Sequence, residues 1–91
     1  MNYRITISPD AEKDIVILAK TDHKAFLKVQ KLIGELREHP TTGTGHPEPL
    51  KGQPEGRWSR RITKKHRLVY QIFQEEIVVL VLSAWGHYND K

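Results

Sequence analysis

Cysteine is absent from all 91 residues, which excludes a disulfide framework and a thiolate zinc site and fits a reducing compartment. Long hydrophobic runs are absent as well. The longest, residues 77–82, is six residues, far short of the roughly 20 that a membrane-spanning helix needs. The opening MNYRITISPD lacks the apolar stretch of a signal peptide. A cytoplasmic chain with no membrane contact is therefore expected. No repeat or low-complexity tract is present. His23, His39, His46 and His66 show no metal-ligand spacing such as HExxH, so neither a metal nor any other cofactor is expected.

What the chain does have is positive charge, gathered in one place. Between residues 51 and 67 stand Lys51, Arg57, Arg60, Arg61, Lys64, Lys65 and Arg67 against the single acid Glu55, a local charge of +6. The whole chain is +4, so the other 74 residues are net −2. A local excess above the global one points to a polyanion site rather than a generally basic protein. Just upstream, Glu48 stands alone between Pro47 and Pro49.

A chain of this length makes one domain, residues 1–91, with one core. Tyr3, Ile5 and Ile7 alternate with polar residues, the pattern of a half-buried strand. Ser8-Pro9-Asp10 reads as a helix start, with Ser8 as N-cap and Pro9 at the first helical position. Ala11, Ile15, Leu18 and Ala19 share a face, predicting a helix over about 9–20. Thr21-Asp22 offers a second cap, and Phe26, Val29, Ile33 and Leu36 predict a second helix over about 23–38 that tolerates Gly34. The short spacing implies a helical hairpin. Residues 39–57 form a long Gly/Pro/Thr-rich connection, a length that is often functional. Strands are predicted over 58–63, 67–74 and 77–84, with Glu75-Glu76 in the tight turn between the last two. The run IVVLVL suits a central strand covered on both faces, or one with only a short exposed stretch. The order β-α-α-β-β-β gives an α+β fold, two helices on one face of a mainly antiparallel sheet.

Helices on one face leave the other open to the basic strands. Trp58, Arg60 and Ile62 share a face, and Trp58 and Ile62 look like core, so Arg61 points to the open side. Arg60 conflicts with that pattern and is expected near an edge or snorkelling outward. Leu68, Tyr70 and Ile72 look like core, which places Arg67 on the open side too. Arg61 and Arg67 on neighbouring strands could clamp a phosphate. Cleaving RNA needs more: a base for the 2′-hydroxyl proton, an acid for the 5′-oxygen, and cations for the charge between them. Glu48, the arginines and the late pair His87-Tyr88 could supply these without a metal. Residue types and spacing alone reach an RNA or phosphate binder.

The stretch PEPLKGQPEGRWSRRITKKHRLVY, residues 47–70, together with His87-Tyr88, resembles the YoeB/Txe branch of the RelE/ParE toxin superfamily. The resemblance implies a RelE-like toxin that cleaves mRNA in the ribosomal A site and is held inactive by a cognate, YefM-like antitoxin. It implies Glu48 as general base, His87 as general acid, Arg67 as stabiliser of the scissile phosphate, and Tyr88 as the aromatic that positions substrate. Lys51 and Arg61 match supporting cations, and Arg60, Lys64 and Lys65 extend the expected RNA-binding set. The expected products are a 2′,3′-cyclic phosphate, or the 3′-phosphate from its opening, and a 5′-hydroxyl end. Ribosome, mRNA and antitoxin are the expected partners, and relatives suggest a homodimer.

The chain departs from the pattern at Gly86, which could loosen the positioning of His87, in the tail Asn89-Asp90-Lys91, and in the GQPEG segment. Two rival readings use the same fold: a non-catalytic ParE-like toxin that binds DNA gyrase, and a basic sheet face that mainly docks an acidic antitoxin segment.

Overall fold

Ser8 closes the first strand, β1 (Arg4–Ile7), and opens the first helix, α1 (Pro9–Thr21). Its side chain accepts the Ala11 N–H at 3.1 Å, Pro9 occupies the first turn, and Asp10 and Glu12 complement the helix dipole. Asp22 alone separates α1 from α2 (His23–Leu36): its N–H caps the Leu18 carbonyl at 2.8 Å, and its carboxylate caps the Ala25 N–H at 3.1 Å. The second helix stops two residues earlier than its sequence pattern predicts. The N–H groups of Glu38 and His39 both turn back to the Glu35 carbonyl, and Pro40 follows.

The computed structural model describes residues 2–86. His87 and Tyr88, the expected acid and positioning aromatic, and the tail Asn89-Asp90-Lys91 lie outside the described residues. The remaining strands are β2 (Glu48–Pro49), β3 (Arg57–Arg61), β4 (Arg67–Phe73) and β5 (Val78–Ser83). Together with β1 they form one sheet in the order β1-β5-β4-β3-β2, parallel between β1 and β5 and antiparallel elsewhere. This is the expected α+β architecture. The two-residue β2, hidden in what reads as a structureless connection, is an addition to it.

The core lies between the helices and one sheet face. Ala11, Leu18, Ala25, Val29, Leu32 and Leu36 from the helices meet Leu68, Tyr70, Ile72, Val79 and Val81 from the sheet. The seam on α2 runs through 25, 29, 32 and 36, a step away from the expected one, so Phe26 and Ile33 pack at its margin and Ala19 on α1 is exposed. On β5, Val79 and Val81 are fully buried whereas Val78, Leu80 and Leu82 are half-buried. The strand is central, but only one of its faces is sealed by helices, so of the two alternatives its sequence left open the one with a short, partly exposed stretch holds. Its pairing with β4 shifts between Val69, opposite Ser83, and Tyr70, opposite Val81.

Candidate functional site

Glu48 owes its position to backbone bonds on both sides. Before it, the Gly45 carbonyl accepts the Arg61 N–H at 2.7 Å; after it, the Leu50 N–H reaches the Arg57 carbonyl at 2.9 Å. Between these ties β2 pairs with β3, Glu48 opposite Ser59 and Pro49 opposite Trp58. Ser59 pairs in turn with Val69 on β4, and Arg61 stands opposite Arg67. Alternation then puts Glu48, Ser59, Arg61, Arg67 and Val69 on the sheet face away from the helices.

Two arginines directly across a ladder repel one another, and an adjacent carboxylate relieves that repulsion. The Glu48 Oε2 lies 3.9 Å from the Arg67 Nη1, with the Glu48 side chain 59% exposed and that of Arg67 22%. That separation brings the charges together without a hydrogen bond. An exposed pair of this length contributes little to stability. It leaves a carboxylate and a guanidinium able to engage a third group, such as a phosphate and its neighbouring hydroxyl.

The other expected cations divide. Arg61 is exposed beside Arg67, and Lys64 and Lys65 are exposed at the tip of the β3–β4 hairpin. Thr63 shapes that tip: its hydroxyl accepts the N–H groups of Lys65 and His66, both at 3.1 Å. Lys51 is exposed in the turn after β2, on the side of Glu48 away from Arg61.

Arg60 must be withdrawn from the RNA-binding set. It faces the helices with no exposed surface, as strict alternation from Trp58 and Ile62 requires. Its five N–H donors meet five acceptors: the Tyr70 hydroxyl at 3.1 Å, the Glu35 carboxylate at 2.8 Å, and the carbonyls of His39, Thr42 and Thr44. Tyr70 donates its own O–H to the Pro40 carbonyl at 2.7 Å. Burial alone would raise the Glu35 pKa; hydrogen bonds from the Thr44 hydroxyl and N–H, together with the Arg60 charge, outweigh it and hold the carboxyl below its ordinary value. Burial pushes the Tyr70 phenol up, opposed in part by Arg60. Arg60 thus binds protein, not substrate: it ties α2, residues 39–44 and β4 together just upstream of Glu48.

Sequence reasoning gave no role near the site to Ser59, His66 or Trp85. Ser59, opposite Glu48, has a buried hydroxyl without a hydrogen-bond partner among the described residues. His66 accepts the Gly86 N–H on Nδ1 at 2.8 Å, and its ring stacks on Trp85 with centroids 4.2 Å apart. The Gly86 carbonyl accepts the Arg67 N–H at 3.0 Å. No sequence signal distinguishes His66 within KKHR, because its role depends on a residue 20 positions away.

The profile of the family described as "YoeB-like toxin of bacterial type II toxin-antitoxin system" matches residues 7–88. "Toxin YoeB" of Mycobacterium bovis is 41% identical over 84 residues, covering 92% of this chain and 96% of the relative. Among solved structures, the YoeB dimer from Staphylococcus aureus superposes with a TM-score of 0.82 at 34% identity, covering 97% of this chain and 100% of that one. The toxin in the heterotetrameric YoeB-YefM toxin-antitoxin complex from the same organism gives 0.78 at 34% identity, with the same coverage.

Proposed function

Because the chain belongs to the YoeB-like toxin family of bacterial type II toxin-antitoxin systems, we propose that it is a ribosome-dependent endoribonuclease that cuts mRNA in the A site. Residues 1–91 act as one domain, in the cytoplasm, and a YefM-like antitoxin silences it; the S. aureus complex supports that partner. The S. aureus dimer supports a homodimer.

The observation that carries the reading is the Glu48–Arg67 pair, 3.9 Å apart on the sheet face that the helices leave free. Glu48 takes the proton from the 2′-hydroxyl, the freed oxygen attacks the adjacent phosphorus, and Arg67 stabilises the charge that develops on the phosphoryl oxygens. His87 gives a proton to the 5′-oxygen as the P–O5′ bond breaks. The products are a 2′,3′-cyclic phosphate and a 5′-hydroxyl. Tyr88 stacks on an unpaired base, while Lys51, Arg61, Lys64 and Lys65 hold the flanking phosphates. The ribosome supplies what a 91-residue chain with an open site lacks, a strand already held in attack geometry.

The test is cleavage of a short reporter mRNA on purified ribosomes, with 5′ ends mapped. Wild type should cut at A-site codons only when ribosomes are present. Glu48→Gln and His87→Ala should each slow cleavage by roughly 100- to 10,000-fold, the usual share of an acid or base. A folded chain that cuts nothing and blocks DNA supercoiling by gyrase would replace this reading with the non-catalytic one.

A further inference from the structure

Gly86 is the last described residue and is covalently joined to His87. Its φ is 77°, and among the described residues no atom lies within 4 Å of where a Cβ would stand, so no side-chain contact at that position fixes it. A glycine there leaves its own backbone free to rotate. Hydrogen bonds oppose that freedom. The Gly86 N–H is held by His66 Nδ1 at 2.8 Å, and its carbonyl by the Arg67 N–H at 3.0 Å. Two residues earlier, the Ala84 N–H is held by the Asp14 carboxylate of α1 at 2.9 Å. The indole of Trp85 lies against the His66 ring, which restrains the imidazole that does the holding.

We infer that His66 is a positioning residue: by accepting the Gly86 N–H, it sets the direction in which the chain leaves the sheet towards the acid His87. The inference rests on the acid role given to His87 above. The accepting Nδ1 carries no proton, so the neutral ring keeps its hydrogen on Nε2. Arg67 belongs to the same arrangement, since its backbone holds the Gly86 carbonyl while its side chain faces Glu48. The entry to residue 87 and the phosphate-stabilising guanidinium are thereby tied to one residue. A misplacement of about 1 Å can cost on the order of a hundredfold in rate, so one hydrogen bond at this point bears on catalysis more than on stability.

The experiment compares His66→Phe, which keeps a ring against Trp85 but has no acceptor, with His66→Asn, whose amide oxygen can replace Nδ1. His66→Leu substitutes for the Phe variant should that one not fold. Single-turnover cleavage on programmed ribosomes is followed with ordinary mRNA and with mRNA carrying a 5′-sulfur at the cut, a leaving group that needs no proton because thiols are far more acidic than alcohols. With ordinary mRNA, His66→Phe should lower the maximal rate roughly ten- to a hundredfold while the half-saturating toxin concentration stays within about twofold. His66→Asn should recover most of the rate. The sulfur substrate should erase the loss in His66→Phe, as it should in His87→Ala. Wild-type rates in His66→Phe, or a loss that persists with sulfur, would overturn the inference and leave the proposed function standing. Full activity of His87→Ala on ordinary mRNA would instead overturn the acid assignment, and this inference with it.

Discussion

A guanidinium without solvent contact is tolerable only if every donor finds an acceptor, and Arg60 meets that condition through Glu35, Tyr70 and three carbonyls of residues 39–44. Glu35 is the one carboxylate in that set. Its folded pKa lies below the ordinary 4.5, so folding favours the charged form. That contribution is complete above the unfolded value and disappears as pH falls through the lower folded value. Glu35→Gln should cost about 2 kcal/mol near pH 7, the scale of hydrogen bonds to a charged group. The gap to wild type should narrow below pH 4.5 as the native carboxylate takes up its proton. Urea unfolding of both proteins at pH 7 and at pH 3.5 measures this. A gap that widened on acidification would mean that Glu35 is not what balances Arg60.

At the scale of elements, the decisive piece is β2, two residues long and placed by its neighbours. Gly45 has φ +86°, and a Cβ there would come within 3.0 Å of the Arg61 carbonyl oxygen. Gly52 has φ +73° with open space around it. Gly45→Ala should therefore cost more stability than Gly52→Ala, about 2 kcal/mol against about 1. It should also slow cleavage, because the displaced backbone leads straight into Glu48; thermal unfolding and ribosomal cleavage of the two variants decide it. The sequence made much of this framework legible. Periodicity and caps gave both helices, and alternation gave three strands and the faces of Arg61 and Arg67. The same alternation put Arg60 inward with Trp58 and Ile62; charge alone argued against it, and the acceptors that make burial tolerable come from residues 35–44 and 70, which no local pattern links to position 60. The PEP of β2 carries no strand period; the Arg60 cluster and the Gly45–Arg61 and Leu50–Arg57 bonds bring it to the sheet edge. The turn before β5 was found from Glu75-Glu76, yet its left-handed residue is Ile77, at φ 58°, a β-branched side chain that no turn preference would select.

Over the whole molecule, charge and shape divide the same way. The helices cover one sheet face with an apolar seam, and the exposed cations Arg61, Lys64 and Lys65 gather by the strands around the Glu48–Arg67 pair. With Arg60 neutralised inside, the proposed RNA contacts are left to Lys51, Arg61, Lys64, Lys65 and Arg67. Five phosphate contacts on a single strand would weaken binding on the order of a hundredfold between 50 and 200 mM salt, since each contributes a slope of about −0.7. Half-saturating toxin concentrations on programmed ribosomes, measured across that range at constant magnesium, give the slope directly. Replacing Lys64 and Lys65 together by Gln should flatten it by about 1.4. Lys31→Gln, which removes an exposed charge from α2, should leave the slope as it was. An equal effect from Lys31 would mean that overall charge, rather than the face built around Glu48 and Arg67, draws the protein to RNA.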